Sequence, residues 1–124
     1  MKKFSLNILL AGTVLALGAC ASGPKTTSLL DQVHADYSQA QGNPKVATYA
    51  PVELQAATEA MNKADAAAKE RESLETIDKL AYLTKQKIAL ANEVASRKSS
   101  EAEIANAKAV RDKVVLDQRT AEAN

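Results

Sequence analysis

The chain has no tryptophan, one phenylalanine, one cysteine, one histidine, four glycines and three prolines among 124 residues. A lone cysteine, Cys20, excludes any intrachain disulfide. A lone histidine, His34, leaves nucleophilic catalysis without the usual set of nucleophile, base and orienting group, and no glycine-rich phosphate loop is present. Charge of one sign is missing as well. Without Lys2 and Lys3 the chain carries 14 basic against 15 acidic side chains, which gives no basic footprint for nucleic acid. Beyond Phe4 the only aromatics are Tyr37, Tyr49 and Tyr82, too few for the thick core of a compact enzyme. Alanine is abundant instead. It is the strongest helix former and lets helices approach closely, so elongated helices around a thin seam are expected.

At the N-terminus Lys2 and Lys3 precede an apolar stretch from Phe4 to Leu17, broken only by Ser5, Asn7, Gly12 and Thr13. The stretch is shorter than the roughly 20 residues a bilayer-spanning helix needs, so residues 1–19 read as a signal peptide rather than a retained span. Leu17-Gly18-Ala19-Cys20 resembles the lipobox of bacterial lipoproteins, matching at all four positions; the other reading is an ordinary secretory signal that happens to contain a cysteine. The resemblance implies cleavage before Cys20, a diacylglycerol thioether on its sulfur and two or three acyl chains, palmitate among them. One chain binds a membrane only reversibly, so several imply stable anchoring. Ala21, rather than Asp, after the cysteine implies sorting to the outer membrane, facing the periplasm, with inner-membrane retention as the alternative. Residues 20–28 are small and polar and contain Gly23-Pro24, and they read as a flexible tether.

Three helices are expected in the remainder. The first opens at Ser28, with Asp31 three residues on, and sets Leu30, Val33, Tyr37 and Ala40 on one face. Gly42-Asn43-Pro44 ends it and begins a connector to about Ala50. The second starts at Pro51, with Glu53 returning to the cap backbone and Tyr49 stapled on Leu54; Leu54, Ala57, Met61, Ala64 and Ala68 form its apolar face. Lys69 to Ser73 is polar without glycine or proline, and either turns or continues into one rod. From Leu74 a long helix carries Leu74, Ile77, Ala81, Ile88, Ala91 and Ala95 on one stripe, broadened by Leu80, Leu83, Leu90 and Val94. Beyond Arg97 the stripe thins, and Lys98, Asp112 and Arg119 interrupt the heptad that runs from Leu74, leaving an imperfect coiled-coil seam. The expected fold is all-α: a small antiparallel helical hairpin or three-helix bundle over residues 29–97, with residues 98–124 as a projecting C-terminal helix that offers itself to a partner.

Tyr49-Ala50-Pro51-Val52-Glu53-Leu54, then Ala57, and the run from Leu80 to Ala91 resemble the lipoproteins that carry domain of unknown function 4398, over roughly residues 27–122. Ala105-Asn106-Ala107 and the segments Val110-Arg111-Asp112 and Arg119 to Ala123 resemble the linker helix of longer relatives that continue into an OmpA-like peptidoglycan-binding domain. The sequence stops at Asn124 before any such domain, so wall binding is not implied, and no catalytic activity is attached to the family. A Braun-type lipoprotein joins the wall through a C-terminal lysine; Ala121-Glu122-Ala123-Asn124 offers none, and no covalent peptidoglycan link is expected.

The remaining candidates have ordinary readings. His34, beside Val33 and Tyr37, reads as a partly exposed helix-face residue. Glu70, Glu72, Glu75 and Asp78 lack both a glycine-containing calcium loop and the Glu-x-x-His pairing of bundle di-metal sites, so they read as a solvated turn, and no metal or cofactor is expected. Tyr82 reads as packing against the hairpin. The expected role is a non-catalytic, membrane-anchored structural or envelope-organising lipoprotein; the alternative is a helical module that binds a periplasmic or outer-membrane protein through the helix after Arg97.

Overall fold

The computed structural model describes residues 23–123, and the lipobox residues Leu17, Gly18, Ala19 and Cys20 lie outside them. Four helices follow in order, α1 (Ser28–Gln41), α2 (Pro44–Tyr49), α3 (Pro51–Lys69) and α4 (Leu74–Glu122), with no strand among the described residues. The architecture is all-α, an antiparallel α3–α4 hairpin with α1 and α2 laid against the first half of α4.

Each boundary has a local cause. Thr27, one residue earlier than expected, caps α1 by accepting from the Leu30 N–H at 3.1 Å. The segment expected as a connector is itself the helix α2: Asn43 caps it through its side-chain oxygen on the Lys45 N–H, and Pro44 supplies the fixed φ of a first helical residue. Its Val46 is fully buried. α3 does begin at Pro51, but the expected return of Glu53 to the cap does not occur. The Ala50 N–H already donates to the Val46 carbonyl at 2.9 Å as the last bond of α2. Glu53 Oε2 is left buried with no hydrogen-bond partner.

The hairpin turn is made without glycine. The Glu72 N–H donates to the Ala67 carbonyl and the Arg71 N–H to the Ala68 carbonyl, the two bonds that close a helix C-terminus, and Arg71 takes the left-handed conformation they require, with φ 59°. Ser73 then caps α4 on the Thr76 N–H.

Along α4 the buried positions are Ile77, Ala81, Thr84, Ile88, Ala91, Ala95 and Ser99. Ile77, Ala81 and Ile88 pack with Ala57, Met61, Ala64, Ala67 and Ala68 of α3, with Leu30, Val33 and Ala40 of α1 closing the other side. A second, smaller cluster gathers Val46, Ala50, Ala91 and Ala95, with Tyr49, Leu54 and Val94 against it. Thr84 fits the seam because its hydroxyl donates to the Leu80 carbonyl at 2.8 Å, so no polar hydrogen is left bare. Leu83, expected in the core with Leu54, Met61 and Leu80, is instead 46% exposed, and Tyr82 is 57% exposed. The seam advances by alternating four- and three-residue steps through Ala81, Thr84 and Ile88, which turns positions 82 and 83 outward.

Ile77→Ala should lower the unfolding free energy by about 2–5 kcal/mol, as truncation of a fully buried branched side chain does. Leu116→Ala, on an exposed position, should stay within roughly 0.5 kcal/mol of the parent chain. Chemical denaturation of the two variants checks the assignment of the core, and an equal loss in both would contradict it.

Candidate functional site

The functional geometry lies at two poles. At the turn pole the segment expected as a free tether is docked. The Lys25 N–H donates to the Ala68 carbonyl at 3.0 Å, filling the second lone pair of the oxygen that Arg71 already uses. Lys25 Nζ donates to the Glu72 carbonyl at 3.0 Å, and Arg71 Nη1 donates to the Gly23 carbonyl at 2.6 Å. The two acceptors of Lys25 are carbonyls left over by the end of α3 and by the turn, while Arg71 returns a bond to the docked segment's own Gly23 carbonyl. The chain upstream of α1 thus satisfies groups that a helix terminus leaves open. Gly23 and Lys25, within the segment expected as a tether, are held by these contacts.

Beside this docked segment α1 and α3 leave a groove lined by Pro24, Leu30, His34, Asp65 and Ala68, about 530 Å³ in volume. His34 Nε2 stands 2.9 Å from Asp65 Oδ1, and both side chains are about half exposed. A half-exposed pair of this kind contributes little to stability. Thr26, on the groove's edge, bonds to Asp31, so the hydroxyl is not presented to the histidine. One helical turn beyond His34, Tyr37 reaches Thr58 at 2.7 Å. The Thr58 hydroxyl hydrogen is already spent on the Leu54 carbonyl, so Tyr37 is the donor that ties α1 to α3.

Glu70, Glu72, Glu75 and Asp78 do not converge; Glu75 pairs along its own helix with Lys79 at 3.7 Å. Among the described residues no group of three or more histidine, cysteine or acidic side chains is placed to hold a metal ion. No described helix is long and apolar enough to cross a membrane.

At the other pole α4 leaves the bundle. The chain climbs α4 from Lys25 beside Glu72 to Lys45, whose Nζ stands 3.6 Å from Glu103, and burial stops at Ser99. From residue 103 every described residue is exposed, including Ile104, Val110, Val114, Val115 and Leu116. Residues 104–122 therefore form a bare helix of about 28 Å at 1.5 Å per residue, directed away from the docked segment. Asp112 and Arg119 sit on this continuation without any helix opposite them, whereas Lys98 precedes it, one residue before the buried Ser99.

The model of a domain of unknown function, DUF4398, matches residues 28–107. The chain belongs to the DUF4398 family. No curated protein and no solved structure matches it. The matched DUF4398 region starts with α1 at Ser28 and ends a few residues after burial ceases, so it takes in the whole bundle, while the distal part of α4 lies beyond it. Sequence reasoning found the bundle helices but missed the docking of Gly23 and Lys25 in this DUF4398 protein, because backbone carbonyls carry no residue signature.

Arg71→Gly should raise the unfolding free energy by roughly 0.5–1 kcal/mol, since glycine accepts a positive φ that costs another residue about 1–2 kcal/mol, less the entropy glycine loses on folding. The same change removes the bond to Gly23 and should speed hydrogen exchange at the Lys25 amide. Loss of stability on thermal unfolding would show that the side-chain contact outweighs the backbone relief.

Proposed function

We propose that this protein is a lipid-anchored envelope component that works by position rather than by catalysis. Cys20 carries the lipid in the outer membrane, the bundle stands at the membrane surface in the periplasm, and α4 reaches outward from it. The observation that carries this reading is the docking of Gly23 and Lys25 on the α3–α4 turn. Cys20 lies three residues before Gly23, so the turn pole can be no more than about 11 Å of extended chain from the lipidated residue. α4 spans roughly 73 Å from Leu74 to Glu122 at 1.5 Å per residue, and its bare end lies at the opposite pole.

A non-catalytic role is supported by the chemistry available: His34 is engaged with Asp65, and no hydroxyl or thiol stands on its other side as a nucleophile among the described contacts. The second reading, a module that binds a periplasmic or outer-membrane protein through the helix after Arg97, is favoured by the exposed Ile104, Val110 and Val114. The two readings agree on the anchor and differ in what the far end of α4 does.

Cys20→Ser should abolish incorporation of labelled palmitate and move the protein from the membrane to the soluble periplasmic fraction, because a thioether needs the sulfur. Equal labelling of the variant would end the lipoprotein reading.

A further inference from the structure

Most of the exposed apolar side chains of α4 lie off the face that packs in the bundle; only Leu74 and Leu116 continue that face, at f positions of a heptad that has Leu83 at a. In the same heptad the exposed Leu83, Leu90 and Ile104 all fall at a, Val114 at d, and Tyr82, Val110 and Val115 at the flanking g and e positions. The buried Ile77, Ala81, Thr84, Ile88, Ala91 and Ala95 alternate between b and f, on the opposite side of the helix. This outer register is distinct from the bundle's own seam, whose b positions turn polar at Lys98, Asp112 and Arg119.

We propose that the outer stripe of α4 is the seam of a parallel, in-register pair formed with a second copy of this chain, tightest between Ile104 and Val115. The orientation rests on the anchored reading given above. Copies held at Cys20 on one membrane, each docked at the turn pole, present α4 in the same direction and at the same height. Confinement to one surface raises their effective concentration without any new contact. α1, α2 and α3 lie on the b and f side, so both bundles face outward when the two α4 helices come together.

Charge and shape across such a pair agree where the stripe is most apolar. In a parallel pair a g residue meets the e residue five positions on in the partner. Glu103 then meets Lys108 of the second copy, and Val110 meets its Val115. Arg111 stands at an a position but carries its own counter-charge, with Nη2 at 3.4 Å from Asp112. Asp117 would meet Glu122, which places the end of the seam before the last turn. Gln86, Glu93 and Arg97 interrupt it on the bundle side, so Leu83 and Leu90 extend the contact rather than found it.

Single-cysteine variants of the full chain in native membranes test this, with the Cys20 sulfur blocked by its diacylglycerol thioether on the anchored reading and the parent chain as the blank. Under mild oxidation Ile104→Cys and Val114→Cys should each give a disulfide-linked species of twice the chain mass, at least about ten times more than Leu116→Cys on the f position, whose Cβ atoms would be far beyond bonding distance. Adding Ile104→Asp to Val114→Cys should bring the yield down to that of Leu116→Cys. Same-residue bridges at both 104 and 114 require a parallel, in-register pair. Equal yields at 114 and 116, no bridge at either stripe position, or a bridge from 114 to a different protein would overturn the proposal. Palmitate label and membrane pelleting, scored on the same samples, report separately on the anchor.

Discussion

The close approach of α3 to α4 is the constraint on which the rest of this structure depends. Ala57, Ala64, Ala67 and Ala68 meet Ile77, Ala81 and Ile88 across the hairpin. Side chains this small bring backbones together but bury little area per residue, so the core is a strip rather than a globule, and stability must be collected along its length. A strip needs a long straight support. α4 supplies it, and the other three helices are laid along its first half in succession.

The same thin core explains why the chain before α1 is docked. An alanine-rich helix that stops without glycine exposes its last carbonyls beside few bulky neighbours. Here those of Ala67 and Ala68 are filled by Glu72, Arg71 and Lys25. A device that closes a helix therefore also fixes the direction in which the chain leaves the bundle. On the proposed lipid-anchored reading, orientation relative to Cys20 follows from the fold, and the bare end of α4 is directed away from the docked segment.

Much of this was legible in the residues. Proline at position 51, the alanine spacing of α3 and the stripe from Ile77 to Ala95 locate the two helices, because short-range propensity and the 3.6-residue period act together there, whereas the turn between them, closed by Arg71 without glycine, left hairpin and rod open. α2 was hidden by its brevity: six residues show no period, although Asn43-Pro44 is a cap followed by a first-turn proline. Thr84 was passed over as polar, although its spacing from Ala81 and Ile88 puts it in the seam. Leu83 misled in the other direction, since hydrophobicity alone does not say which side of a helix finds a partner. Contacts such as Lys25 to Ala68 and His34 to Asp65 depend on tertiary placement, and no local pattern announces them. The resemblance of Leu17-Gly18-Ala19-Cys20 to a lipobox is wholly a matter of sequence, since those residues lie outside the described ones.

The central claim, that the docked segment holds α4 upright on the membrane, is tested most directly by the heights of two labels above the bilayer. Fluorophores at positions 78 and 118 of the lipidated protein in vesicles, read by energy transfer to a headgroup dye, should differ in height by up to about 60 Å, with 78 the nearer. Equal heights at the two positions, as for a helix lying along the surface, would contradict the account.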